Sequence, residues 1–135
     1  MALIKIFSGK YNYSDKQIYT FDGRYLYYGK YNYSDKVKCL FDGKFIYQGK
    51  FAYNDRIMAN FQNGRIYDGK YNYESGIILT FDGERIYAGK NKIESNILYT
   101  FDGKHLYEGK YKYNDKIILT VEGGVLPKEV LYAIL

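Results

Sequence analysis

The sequence contains no tryptophan, one proline, one cysteine and one histidine in 135 residues. Each scarcity closes off a class of protein. A lone cysteine, Cys39, cannot form an intramolecular disulfide framework. One cysteine and one histidine cannot furnish the several Cys or His ligands of a zinc site. No run approaches the roughly 20 apolar residues that a membrane-spanning helix requires, so membrane insertion is not expected. The opening "MALIKIFSGK" lacks the apolar stretch and small-residue cleavage site of a signal peptide, which makes the cytoplasm the expected compartment. What the composition does hold, 19 tyrosines and 14 glycines, favours strands and turns over helix. A chain of this length fits one domain and buries roughly two thirds of the surface it exposes when unfolded.

The organising feature is a strict period. Laid out in blocks of twenty, the chain gives six registered blocks and a fifteen-residue tail. The phrase "FDGRYLYYGKYNYSDK" at residues 21–36 returns in near copies from Phe41, Phe61, Phe81 and Phe101. The sixth position of each block is Ile or Leu (Ile6, Leu26, Ile46, Ile66, Ile86, Leu106), the seventh is aromatic, and the ninth and tenth are always Gly-Lys. A unit this short cannot bury an apolar face without its neighbours, so the repeats must pack on one another.

The turns punctuate hairpins. Asp22-Gly23, Asp42-Gly43, Asp82-Gly83, Asp102-Gly103 and the shifted Asn63-Gly64 are dipeptides that accept positive φ in a two-residue hairpin loop. The second turn of each block is softer: Ser14-Asp15, Ser34-Asp35, Asn54-Asp55, Glu74-Ser75-Gly76, Glu94-Ser95-Asn96 and Asn114-Asp115 carry short polar side chains able to bond their own backbone. Between the turns lie strand-like stretches, with aromatic and polar residues alternating at Tyr31, Asn32 and Tyr33 and at Tyr71, Asn72 and Tyr73. A glycine recurring inside the longer stretch predicts a bulge or bend at one register, and six equal bends curve a sheet toward closure. Closure removes the exposed edges on which sheets aggregate.

The reading is an all-β protein of about six 20-residue β-hairpin repeats in a closed, pseudo-symmetric flower or barrel, residues 1–124, with a capping segment at 125–135 in the same domain. Pro127, Lys128 and Glu129 read as the first turn of a short C-terminal helix covering apolar surface at one end. A last strand pairing with residues 2–7 is the alternative.

These motifs resemble those of the small bacterial β-flower proteins, in which hairpin repeats of the Tyr-x-Phe-Asp/Asn-Gly-Lys-x-Leu kind surround an axis. The matching segments are "YTFDGRYL" (19–26), "YTFDGKHL" (99–106) and, more loosely, "LTFDGERI" (79–86). The resemblance implies a radial hairpin fold and no particular activity. Choline- and glucan-binding cell-wall repeats are also aromatic hairpins, but this chain has no tryptophan to build their cages. MORN repeats share the phrase "NGRIYDG" (63–69), yet their following Gly-x-Gly is missing.

No catalytic constellation emerges, so an enzyme is not expected, nor is a cofactor or a metal. His105 shares its column with Tyr25, Phe45, Arg65 and Arg85 and reads as a variable strand position; Cys39 reads as a small buried hydrophobe. The recurring carboxylates are explained by turn chemistry, and the glycine-rich nonapeptide of calcium-binding repeats does not occur. Most of the tyrosines are read as core rings whose hydroxyls reach water or a backbone partner.

The lysine column is more informative. Without Lys10, Lys30, Lys50, Lys70, Lys90 and Lys110, six of the 20 bases, the formal charge of +5 becomes −1. Around an axis they would form a ring of ammonium groups, either solvated along their stems or suited to an anion. Beside them Tyr13, Tyr33, Tyr53, Tyr73 and Tyr113 offer stacking surfaces, interrupted in the fifth block by Asn91, Lys92 and Ile93. The expected role is a non-enzymatic binding module for a polyanion or protein partner through this Lys/Tyr surface, with self-association also open to it. The alternative is a multivalent carbohydrate or cell-envelope binder.

Overall fold

The structure is a computed structural model and describes residues 3–135. Twelve antiparallel strands form a closed up-and-down barrel: β1 (Ile4–Ser8), β2 (Gln17–Phe21), β3 (Tyr25–Tyr28), β4 (Val37–Phe41), β5 (Phe45–Gln48), β6 (Ile57–Gln62), β7 (Arg65–Asp68), β8 (Ile77–Asp82), β9 (Arg85–Ala88), β10 (Ile97–Phe101), β11 (His105–Glu108) and β12 (Ile117–Glu122). Each hairpin joins the end of one twenty-residue block to the start of the next, as Phe21 paired with Leu26 shows. We call these hairpins petals. The chain therefore begins with the second strand of a petal and ends its repeats with the first, and β12 pairs with β1 to complete the sixth (Ile6 opposite Val121, Phe7 opposite Thr120).

The turns divide into two kinds. Asn63-Gly64, with φ of 53° and 76°, is the expected two-residue loop between the paired Gln62 and Arg65. After β2, β4 and β10 the loop is longer, and the aspartate side chain closes it: Asp22 Oδ1 accepts the backbone N–H groups of Arg24 (2.9 Å) and Tyr25 (2.7 Å), and Asp42 and Asp102 repeat the pattern. The softer turns are 3₁₀ turns closed by the backbone, such as Lys16 N–H to Tyr13 O at 2.8 Å; the residue preceding each one makes no side-chain cap.

The recurring glycine ends a strand, and the bulge lies opposite, on the neighbouring petal. Gly9, Gly29, Gly49, Gly69, Gly89 and Gly109 all have φ between 70° and 83°, a left-handed turn that carries the chain out of the sheet. Each N–H still bonds back, as Gly29 does to Ile18 O at 2.8 Å. In all six ladders between petals one residue is skipped, among them Ile18, Lys38, Met58 and Ile118. Six bulges at one register add the coiling that lets the sheet close. Residues 31–33 consequently lie outside the strands, in an extended segment that precedes the 3₁₀ turn.

The core fills the lumen. Ile6, Leu26, Ile46, Ile66, Ile86 and Leu106 are at most 1% exposed and cluster with Phe21, Phe41, Phe81 and Phe101. Among them sits α1 (Lys128–Ile134), whose Val130, Leu131 and Ala133 are buried and none of whose seven residues is exposed. At its start Lys128 Nζ donates to Gly83 O in a hairpin turn. At its end Ala133 O accepts from Lys38 Nζ (2.5 Å), on the far side of the strands. The helix is thus a plug running along the lumen, beyond the end cap expected, and the strand that pairs with the N-terminus precedes it. Its short length, about 10 Å, matches strands of four to six residues. Among the described residues no helix is long and apolar enough to cross a membrane.

Candidate binding surface

Hairpin connections in an up-and-down barrel alternate between its two ends, so the six Gly-Lys connections (9–16, 29–36, 49–56, 69–76, 89–96 and 109–116) share one end. Each leaves the sheet at its glycine and returns through the 3₁₀ turn. The anchor is a buried side chain in the first strand of each petal: Thr20 Oγ1 donates to Gly29 O (2.8 Å), and Thr80, Thr100 and Thr120 donate in the same way to Gly89, Gly109 and Gly9. Asn60 substitutes with its amide, bonding Gly69 O at 3.0 Å. Leu40 has no such donor and fills the position with carbon, 1% exposed.

Past the glycine, five of the six connections present an aromatic pair. Tyr11 and Tyr13 stack with ring centroids 5.1 Å apart and 16° between planes; Tyr31–Tyr33, Phe51–Tyr53, Tyr71–Tyr73 and Tyr111–Tyr113 follow at 5.2–5.6 Å. All ten rings are between 51% and 66% exposed. The pairs occupy consecutive connections, because 109–116 neighbours 9–16 across the β12–β1 seam, and the gap falls at 89–96, where Asn91 and Ile93 stand instead. Ten of the 19 tyrosines are exposed, so the expectation that most lie in the core is corrected. The core tyrosines are the seventh-column ones: Tyr27, Tyr47 and Tyr107 are buried and donate their hydroxyls to Asp22, Asp42 and Asp102. Burial first, then the Asp22 bond and charge, push the Tyr27 phenol up to about 12.

The lysine column divides. Lys10, Lys50, Lys70 and Lys110 hold their ammonium groups 5.1–5.5 Å from the centroid of the first ring of their own pair, a contact worth about 0.5–1 kcal/mol at an exposed site. Lys90 is paired with Glu74 at 2.6 Å and Lys110 with Glu94, while Lys50 donates to Ser34 Oγ at 3.1 Å. The Lys90 bond and charge hold the Glu74 carboxyl below the usual carboxylate range. The six lysines therefore share one end of the barrel but are not equivalent: two face carboxylates of the preceding connection, and Lys10, Lys30, Lys50 and Lys70 do not.

A second row of cations escaped the column-by-column reading. Lys5, Arg24, Lys44, Arg65, Arg85 and Lys104 place one base on each petal at the end opposite the Gly-Lys connections, but they are divided between the fourth and fifth block positions, so no single column displays them. Arg24 lies 5.6 Å from the Tyr25 ring and Lys44 5.2 Å from Phe45. Lys104 and His105 meet Lys10 and Tyr11 in a recess of about 150 Å³ between petals. His105 itself is half-buried, with Nδ1 3.2 Å from Thr120 Oγ1. Cys39 is a core residue whose thiol burial pushes up to about 11, against the opposing charge of Lys38. Among the described residues no group of three His, Cys, Asp or Glu side chains is placed to hold a metal ion.

A closed barrel of six hairpin petals around a helical plug, ringed at one end by aromatic pairs, defines a radial hairpin-repeat protein. The chain belongs to the 6-fold beta flower protein family, whose model matches residues 6–135. That family is defined by its repeat architecture and is not an enzyme family as such. No curated protein and no solved structure matches the chain.

Proposed function

We propose that the protein is a non-enzymatic, multivalent binding module and that its ligand is a polyanion held against the connection loops. One observation carries this reading: five consecutive loops each expose an aromatic pair, and in four of them an ammonium lies against the first ring. Hydrophobic surface left open in contiguous, rigid, repeated form is a recognition feature far more often than an accident of folding. The repeated cations explain why the partner is anionic, and repetition multiplies weak contacts through effective concentration. A neutral glycan ranks second: flat exposed rings suit sugar faces, but Asn12 and Asn72, which would serve its hydroxyls, are already bonded to Glu122 and Gln62.

Titration with a sulfated polysaccharide tests the reading. Binding is expected to weaken at least tenfold between about 50 and 200 mM salt. Replacing Lys10, Lys30, Lys50 and Lys70 together by Gln is expected to weaken it further and to flatten the salt dependence. Salt-independent binding to neutral glycans alone would reverse the ranking.

A further inference from the structure

The loop ring is not uniform. Connection 29–36 lines two grooves: one of about 280 Å³ formed within residues 28–36, and one of about 520 Å³ between it and connection 49–56. The smaller is lined by Tyr28, Lys30, Tyr31, Tyr33 and Lys36 and contains no carboxylate. The larger is lined by Lys50, Phe51, Tyr53 and Arg56, with Ser34 and Asp35 on the facing loop. At two other junctions of the ring a carboxylate engages the lysine, Glu74 against Lys90 and Glu94 against Lys110. Aromatic surface, open volume and four cations therefore coincide at these two loops, with Asp35 the carboxylate among the lining residues.

We propose that this pair of grooves is a binding tract for single-stranded nucleic acid, with bases stacked on Tyr33 and Tyr53 and phosphates beside Lys30, Lys36, Lys50 and Arg56. The inference rests on the polyanion reading above and names its chemical class. Exposed rings have no counterpart on a sulfated sugar that uses them as well as the flat face of a base does, and stacking is indifferent to base identity. Geometry sets the scale. Strands about 4.8 Å apart and tilted by about 40° place neighbouring petals roughly 12 Å apart at the sheet. That distance spans about three phosphates of a stacked strand, so one chain passes two loops and lays a base on each. A duplex keeps its bases paired inside and cannot reach these rings.

The test compares an oligo(dT) of about 15 nucleotides, the duplex form of a mixed sequence and a sulfated polysaccharide, all read by fluorescence anisotropy at fixed salt. The oligo(dT) is expected to bind more tightly than the duplex. Tyr33→Ala with Tyr53→Ala is expected to weaken oligo(dT) binding at least tenfold. Tyr73→Ala with Tyr113→Ala, comparably exposed rings outside the grooves, is expected to weaken it by a clearly smaller factor. Unchanged melting of both double variants separates lost stacking from lost fold. If the polysaccharide binds and oligo(dT) does not, or if the duplex binds as tightly as the single strand, the nucleic-acid inference falls and the polyanion reading stands. Equal losses from the two double variants overturn the groove assignment. No binding to any of the three overturns both.

Discussion

The β12–β1 petal and the five covalent petals have the same register built by different means. In a covalent petal the two strands are tied by a turn of a few residues; at the seam they come from opposite ends of the chain. Yet Ile6 faces Val121 as Leu106 faces Phe101, and Thr120 reaches Gly9 O at the same 2.8 Å that separates Thr100 from Gly109 O. The petal geometry therefore does not depend on the turn that marks it in sequence. It is imposed by ladder pairing, inward-facing aliphatics and the threonine anchor, which act equally on strands that are 111 residues apart.

What distinguishes the seam is how its turn end is managed. Gly123 keeps the positive φ of its counterparts, 98° against 100° at Gly43, although no hairpin closes there. The chain instead leaves for the helical plug, and it passes so close to the first strand that a Cβ on Gly123 would lie 2.4 Å from the Leu3 carbonyl oxygen, whereas nothing lies within 4 Å of a Cβ on Gly43. The largest effect follows. Gly43→Ala is expected to cost about 1 kcal/mol through backbone conformation alone. Gly123→Ala adds a backbone clash that only separation of β12 from β1 can relieve, and a loss of 3 kcal/mol or more, roughly the cost of a large core truncation, is expected in denaturant melts. Equal losses at the two glycines would show that the seam is looser than its register implies.

The anchor threonines give a finer comparison. Thr120 Oγ1 also bonds His105 Nδ1, so the comparison is made in a His105→Phe background, where Thr100→Val and Thr120→Val each remove one hydrogen bond and leave a glycine carbonyl without its partner, each at an expected cost of about 1–2 kcal/mol. If the seam is energetically equivalent to a covalent petal, the two values agree to within about 0.5 kcal/mol. A seam that opens locally would instead show faster amide exchange along β1 in the Thr120 variant alone, with β10 and β11 unaffected in either.

How much of this was legible before any coordinates depends on whether the information was periodic. The strands, the petal count, closure and the inward-facing Ile6 column follow from a side chain recurring at fixed spacing, which leaves a single repeating geometry to satisfy. Shared placement of the Gly-Lys lysines was readable on the same ground. Three features were not. The glycine was read as a bulge or a bend, and it makes the bend; the bulge itself falls at Ile18 or its equivalents, chemically ordinary and detectable only by pairing. The path of residues 128–134 into the lumen depends on the width of the closed barrel, which no local pattern encodes. The partition of the lysines was hidden because the carboxylates that engage Lys90 and Lys110 lie sixteen residues earlier, at Glu74 and Glu94, where other blocks carry Ser or Asn.

The smallest expected effect concerns acid, and it falls on the turns of two covalent petals. At Asp42 and Asp102 burial alone would raise the carboxyl pKa, but the backbone N–H groups two and three residues on, together with the Tyr47 and Tyr107 hydroxyls, favour the charged form and hold both below the ordinary carboxylate range. A depressed folded pKa stabilises the native state at pH values above the unfolded one, near 3.9, and that contribution disappears as pH falls through the folded value. The seam has Phe7 where these petals have tyrosine and Glu122 where they have aspartate, and Glu122 bonds Asn12 rather than a phenol. Acid below about pH 4 should therefore loosen the turns at Asp42 and Asp102. Replacing Asp42 and Asp102 by Asn keeps the side-chain oxygen that the turn N–H groups need but removes the titration, so the double variant is expected to show a flatter decline in stability between about pH 5 and pH 2 than the parent. Parallel declines in the two proteins would mean that these turns do not carry the acid response.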